Sequence, residues 1–85
     1  MKMKMPIDKK ATQIVFDYVE EHLDKTSYIP PYDTFIVWKC KILKNWKYLI
    51  STTLADGMYY ELTYNGEKAE WYLDVYKKVE NRVIQ

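Results

Sequence analysis

Lys39, Lys41 and Lys47 crowd one short stretch of the chain, with Lys44 between them and Trp46 and Tyr59 close by. Ammonium groups offer contacts to phosphate oxygens, and aromatic faces offer stacking for bases. Together these six residues suit a nucleotide or phosphate ligand. Lysines along an edge strand also discourage one sheet from pairing with another, and that reading stands beside the first. The only histidine, His22, lies among acids, with Asp17 and Glu21 as its nearest partners. A general base needs a pocket and an orienting group, so a solvated or core-edge imidazole is expected. Cys40 stands between Lys39 and Lys41, whose charge would favour its thiolate. Strand alternation, however, turns it inward as a small buried residue. Glu67, Glu70 and Asp74 fall at helical spacing and read as a solvated face. No nucleophile elbow, P-loop, HExxH or calcium-loop pattern is present. These residues speak against an enzyme, a metal centre or a bound cofactor, and leave a binding surface.

That surface needs a scaffold, and length limits what the scaffold can be. Eighty-five residues make one domain, read here as residues 1–85 with 1–6 as a loose tail. A chain of this size buries roughly 60–65% of its unfolded surface, so the core is thin. Aromatics make up 16% of the residues and can fill much of it, because each buries on the order of 150–250 Å². A net charge of +1 lacks the basic excess of a dedicated nucleic-acid binder. A single cysteine excludes an intramolecular disulfide. No apolar run approaches the roughly 18 residues that span a bilayer. The first residues lack the apolar segment of a signal peptide, and a cytoplasmic protein without a membrane partner is expected.

The periodicity predicts the elements. From Asp8, a candidate N-cap, Ile14, Val15, Tyr18, Val19 and Leu23 recur at helical steps. Pro30-Pro31 closes off any helix, and residues 25–33 read as a loop. From Thr34 the period is two, with Ile36, Trp38, Cys40 and Ile42 on one face and Val37, Lys39 and Lys41 on the other. Lys47 to Leu54 and Met58 to Tyr64 read as two further strands. Ala55-Asp56-Gly57 fits a three-residue loop with Gly57 left-handed, pairing Leu54 with Met58 and Ile50 with Leu62. In the first hairpin, a two-residue Lys44-Asn45 turn would put Lys47 on the core face. An odd loop over Lys44-Asn45-Trp46, or a bulge, avoids this, and the odd loop is preferred, with Trp46 at the tip. After Asn65-Gly66 the period of Tyr72, Val75, Tyr76, Val79 and Val83 is helical. Asn65 is therefore read as a helix N-cap in preference to a hairpin turn.

The expected fold is thus α+β, a two-layer α-β-β-β-α domain. An antiparallel three-stranded meander carries both helices on one face. The other face would hold Val37, Lys39, Lys41, Lys47, Leu49, Ser51, Thr53, Tyr59, Glu61 and Thr63.

The pieces Asn45-Trp46-Lys47, Ser51-Thr52-Thr53, Asp56-Gly57-Met58-Tyr59-Tyr60-Glu61 and Thr63-Tyr64-Asn65-Gly66 resemble a family of small phage and prophage proteins of Gram-positive bacteria. The likeness covers about the last two-thirds of the chain. It implies a short phage gene product in a host cytoplasm, of the kind that inhibits a host factor or counters a defence system. The element order also resembles the double-stranded-RNA-binding domain. That family places lysines where this chain reads Gly66-Glu67-Lys68-Ala69-Glu70, with two acids. The functional expectation is a non-enzymatic protein that sequesters a nucleotide-like small molecule. The alternatives are inhibition of a host protein through the exposed sheet face, or weak nucleic-acid binding. An uncovered sheet face and a thin core also predict a homo-oligomer, with Leu49, Tyr59 and Trp46 at its interface.

Overall fold

A computed structural model describes residues 7–26 and 28–85; the expected loose tail over 1–6 lies outside the described residues. One helix, α1 (Ile7–His22), precedes four strands: β1 (Thr34–Ile42), β2 (Asn45–Thr52), β3 (Met58–Asn65) and β4 (Glu70–Lys77). The strands form one antiparallel sheet in the order β1-β2-β3-β4. The architecture is α+β, a helix laid on a meander.

α1 forms because its apolar residues recur every three or four positions and present one stripe. Ala11, Val15 and Val19 are the buried members of that stripe. They meet Tyr48 and Ile50 of β2 and Tyr60 and Leu62 of β3, and these residues make the core. Ile36, Trp46, Met58, Trp71, Leu73 and Val75 pack around it, half-buried. Tyr32 donates a hydrogen bond to the Glu20 carboxylate and stacks on Phe16, which ties the connecting loop back to the helix. Asp33 anchors the other end of that loop by reciprocal backbone and hydroxyl bonds with Thr53.

β1 departs from the expected hairpin. The hairpin closes through a two-residue Leu43-Lys44 loop, with Ile42 opposite Asn45, and not through the odd loop expected at Lys44-Asn45-Trp46. Leu43 has φ 57, so a branched side chain occupies the left-handed position that a tight turn requires. The even loop keeps Lys41 opposite Trp46 and Lys39 opposite Tyr48, on the helix side. A bulge between Ile36 and Trp38 then shifts the phase, so that Ile36 still faces Ile50 and the core. Trp38, Cys40 and Ile42 therefore lie on the face that α1 does not cover. This reverses the expected placing of Cys40, and its thiol is exposed.

In the second hairpin Gly57 is left-handed as expected, at φ 68. The loop is longer, however, and Ile50 pairs with Tyr60 and Tyr48 with Leu62. The shift is two residues from the expected register, so every side chain keeps its face.

The last element is a strand, not a helix. Trp71, Leu73 and Val75 point to the core side and alternate with Tyr72, Asp74 and Tyr76, and β-branched and aromatic residues favour that pleat. Asn65 is not the expected helix N-cap but closes the hairpin turn set aside at that point: its side-chain oxygen accepts from the backbone N–H groups of Glu67 and Lys68, bonds that begin a turn as well as a helix. The chain completes only that one turn before Ala69, at φ 52, reverses it into β4. With a fourth strand where a second helix was expected, the described residues do not follow the α-β-β-β-α order of the double-stranded-RNA-binding domain.

Candidate aromatic and lysine site on the helix face

Reading across the sheet at the N-terminal end of α1, the register sets four residues in one row. Lys41 of β1 is opposite Trp46 of β2, which is opposite Tyr64 of β3, which is opposite Trp71 of β4. Directly opposed residues share a face, so all four lie on the helix side. Beneath this row Tyr48 stacks on Trp46 at 5.9 Å between ring centroids and tilts against Trp71 at 6.2 Å. Tyr64 and Trp71 are 4.8 Å apart. The result is a continuous aromatic strip across three strands.

Two lysines border the strip. The Lys39 and Lys41 ammonium groups stand 5.8 and 5.4 Å from the Trp46 ring centre, within reach of a cation–π attraction. Lys39 is also held by Asp8, at 2.5 Å. Lys10 of α1 joins Ile7, Tyr64 and Trp71 around a cleft of about 210 Å³. Among the described residues, the ion pairs are Lys25–Glu20, Lys39–Asp8, Lys47–Glu61 and Arg82–Glu80, so Lys10, Lys41 and Lys44 have no carboxylate partner. These three cations are available to an anion.

Asp8 organises this end of the molecule. It does not cap α1 as expected. Its carboxylate accepts from Lys39 and, at 2.5 Å, from the hydroxyl of the buried Tyr48. Those bonds, Lys39 first, hold the Asp8 carboxyl below the usual aspartate range. Burial, together with the Asp8 carboxylate, pushes the Tyr48 hydroxyl well above the usual tyrosine value. A depressed folded value means stability that is present above the unfolded aspartate value and lost as pH falls through the folded one. Asp8→Asn should therefore flatten the fall in melting temperature below about pH 4. At pH 7 the substitution should cost no more than about 1 kcal/mol, because the Asp8 side chain is 40% exposed. An unchanged acid limb in thermal melts from pH 2 to 7 would count against the Asp8 contacts.

The sequence-predicted residues separate into two groups. Lys39, Lys41 and Trp46 come together, and Lys44 sits in the hairpin loop at the same end of the sheet. Lys47 and Tyr59 lie on the opposite face, Lys47 paired with Glu61 at 3.5 Å and Tyr59 opposite Ser51 and Tyr76. The same division removes Trp46 from the expected interface set, leaving Leu49 and Tyr59 on the open face. Lys10, Tyr64 and Trp71 were missed. Only the cross-strand register, not spacing in the chain, shows that Tyr64 and Trp71 line up with Trp46, and only the seating of α1 brings Lys10 beside Tyr64 and Trp71. His22 is exposed at the end of α1, its ring stacked on Tyr18 and bonded to the Tyr18 carbonyl, and it borders a cleft with Asp56 and Tyr60 at the opposite end of the helix from the strip.

The profile of a Family of unknown function (DUF6275) matches residues 8–85. The chain belongs to that family. The match takes in all of α1 but its first residue, all four strands and every residue of the strip. No curated protein and no solved structure matches the chain.

Proposed function

We propose that this family member is a non-enzymatic binding protein that takes up a nucleotide-like ligand on the Trp46–Tyr64–Trp71 strip. The observation that carries this reading is the single cross-strand row with lysines at its margin. A base stacks on the half-buried aromatic faces, and its phosphate meets Lys41, Lys10 and Lys44. Base–aromatic stacking contributes about 1–3 kcal/mol per base, which is about five- to 150-fold in affinity. A cleft of about 210 Å³ is smaller than the ~300 Å³ at which drug-sized pockets begin, so a single base suits it better than a large cofactor. With three unpaired cations around the strip and a chain net charge of +1, duplex nucleic acid would be held weakly at physiological salt. The likeness to small phage proteins makes sequestration of a host nucleotide, as a counter to defence or metabolism, the setting we favour.

Titration calorimetry with nucleoside mono-, di- and triphosphates and cyclic nucleotides tests the reading. Trp46→Ala should weaken binding by at least five-fold, and Lys41→Gln should weaken it and lower its salt dependence. Trp38, on the other face, serves as the control. If Trp38→Ala and Trp46→Ala have the same effect, or if no nucleotide binds, the strip is not the site. A host protein captured through the opposite face would then be the better reading.

A further inference from the structure

We propose that residues 78–85 of one copy lie across the open sheet face of a second copy, and reciprocally, forming a two-fold dimer. Such a dimer leaves the ligand strip free, because the strip is on the other side of the sheet. The open face carries an apolar stripe along β1 and its neighbour: Phe35, Trp38, Cys40, Ile42 and Leu49. Phe35 and Trp38 are each 44% exposed and Ile42 is 66% exposed. A stripe of this kind on a small domain marks a surface that meets another.

The same chain carries a segment in search of a surface. Beyond Lys77 it holds one bond to the sheet, from the Lys78 N–H to the Gly57 carbonyl at 2.7 Å. Then it runs clear, with Val79 97%, Val83 83% and Ile84 86% exposed. It departs beside Phe35 and Tyr59, which share a cavity with Lys78. Folding back onto its own face would need a reversal at Lys78-Val79-Glu80, where neither Gly nor Pro is present and Val79 is stiff. Reaching a neighbouring copy needs no reversal.

Charge and area point the same way. The β3–β4 side of the open face carries Glu61, Glu70 and Asp74; Glu61 is ion-paired with Lys47, which leaves Glu70 and Asp74 as its unmatched acids. The segment brings Lys78 and Arg82 against a single Glu80. Four strands about 4.8 Å apart and eight residues at about 3.3 Å each give a footprint of roughly 500 Å². A stable interface takes about 800 Å² from each partner. The bare faces alone fall short, and two exchanged segments make up the difference.

Sedimentation velocity of the full chain at about 50 μM, beside the double variant Val83→Glu/Ile84→Glu, decides the matter. Both positions are exposed in the single copy, so the variant should keep the wild-type circular dichroism. We expect a two-chain species for the wild type and a one-chain species for the variant, a weakening of at least fifty-fold. A wild-type chain that sediments at one chain mass overturns the proposal, whether or not a different protein binds the face. So does a variant that remains dimeric, because the segments would then contribute nothing.

Discussion

Gly66→Ala is expected to lower the melting temperature by roughly 12–24 °C, taking about 3 kcal/mol at 4–8 °C per kcal/mol for a domain of this size. Gly66 opens the β3–β4 loop and lies against the β1–β2 loop. A Cβ there would stand 2.0 Å from the Lys44 carbonyl oxygen and 2.8 Å from the Lys44 Cβ. The first of those neighbours is backbone, so no rotamer change relieves the clash. Either the two loops part, or the hydrogen bond from the Gly66 N–H to the Asn45 side chain breaks with them. Gly57→Ala provides the comparison. Its φ of +68 brings left-handed strain, but the nearest atom is a side-chain carbon at 3.7 Å, so about 1–2 kcal/mol is expected. A larger loss at Gly57 than at Gly66 in thermal melts would mean that the two loops do not touch as described.

Leu62→Ala should cost about 3–4 kcal/mol, read as a shift in urea midpoint with the slope unchanged. Leu62 is fully buried in β3, between Tyr48 and Leu73, under the helix stripe. Its neighbours are large and fixed in a pleat, so they cannot collapse into the space left by three missing carbons. Small domains have about 5–15 kcal/mol in all, and the thin core puts this chain toward the low end. A loss below about 1 kcal/mol would place the core elsewhere.

Much of this fold was legible because two periods are written plainly into the chain. The helical stripe of α1 and the alternation of β2 and β3 each admit one answer, and the two-residue slip in their hairpin left the faces untouched. β1 misled for a specific reason. A bulge adds one residue and reverses every side chain beyond it, yet Val37 has no feature that marks it as the extra one. In β4, Tyr72, Val75, Tyr76, Val79 and Val83 satisfy a helix, while Trp71, Leu73 and Val75 satisfy a strand. Local pattern could not choose between them, and the apolar face left beside β3 did. Asn65 added to the ambiguity, since the same side-chain bonds begin a helix and a turn. At the site, Lys39 and Lys41 do stand beside Trp46, but on the face opposite to the one their alternation suggested. Tyr64 and Trp71 join them only through a register that spans three hairpins.

Every strand of this sheet pairs with its neighbour in sequence, and that ordering bears on how quickly the chain finds its shape. Closing a short loop sacrifices little chain entropy, and the cost climbs only slowly with length. The meander can therefore zip one hairpin at a time, with no strand waiting for a distant partner. Domains ruled by such local contacts sit on the fast side of the folding spectrum. The exception is α1, whose valines must find β2 and β3 across the loop and β1. Its arrival is the one long-range search the topology demands.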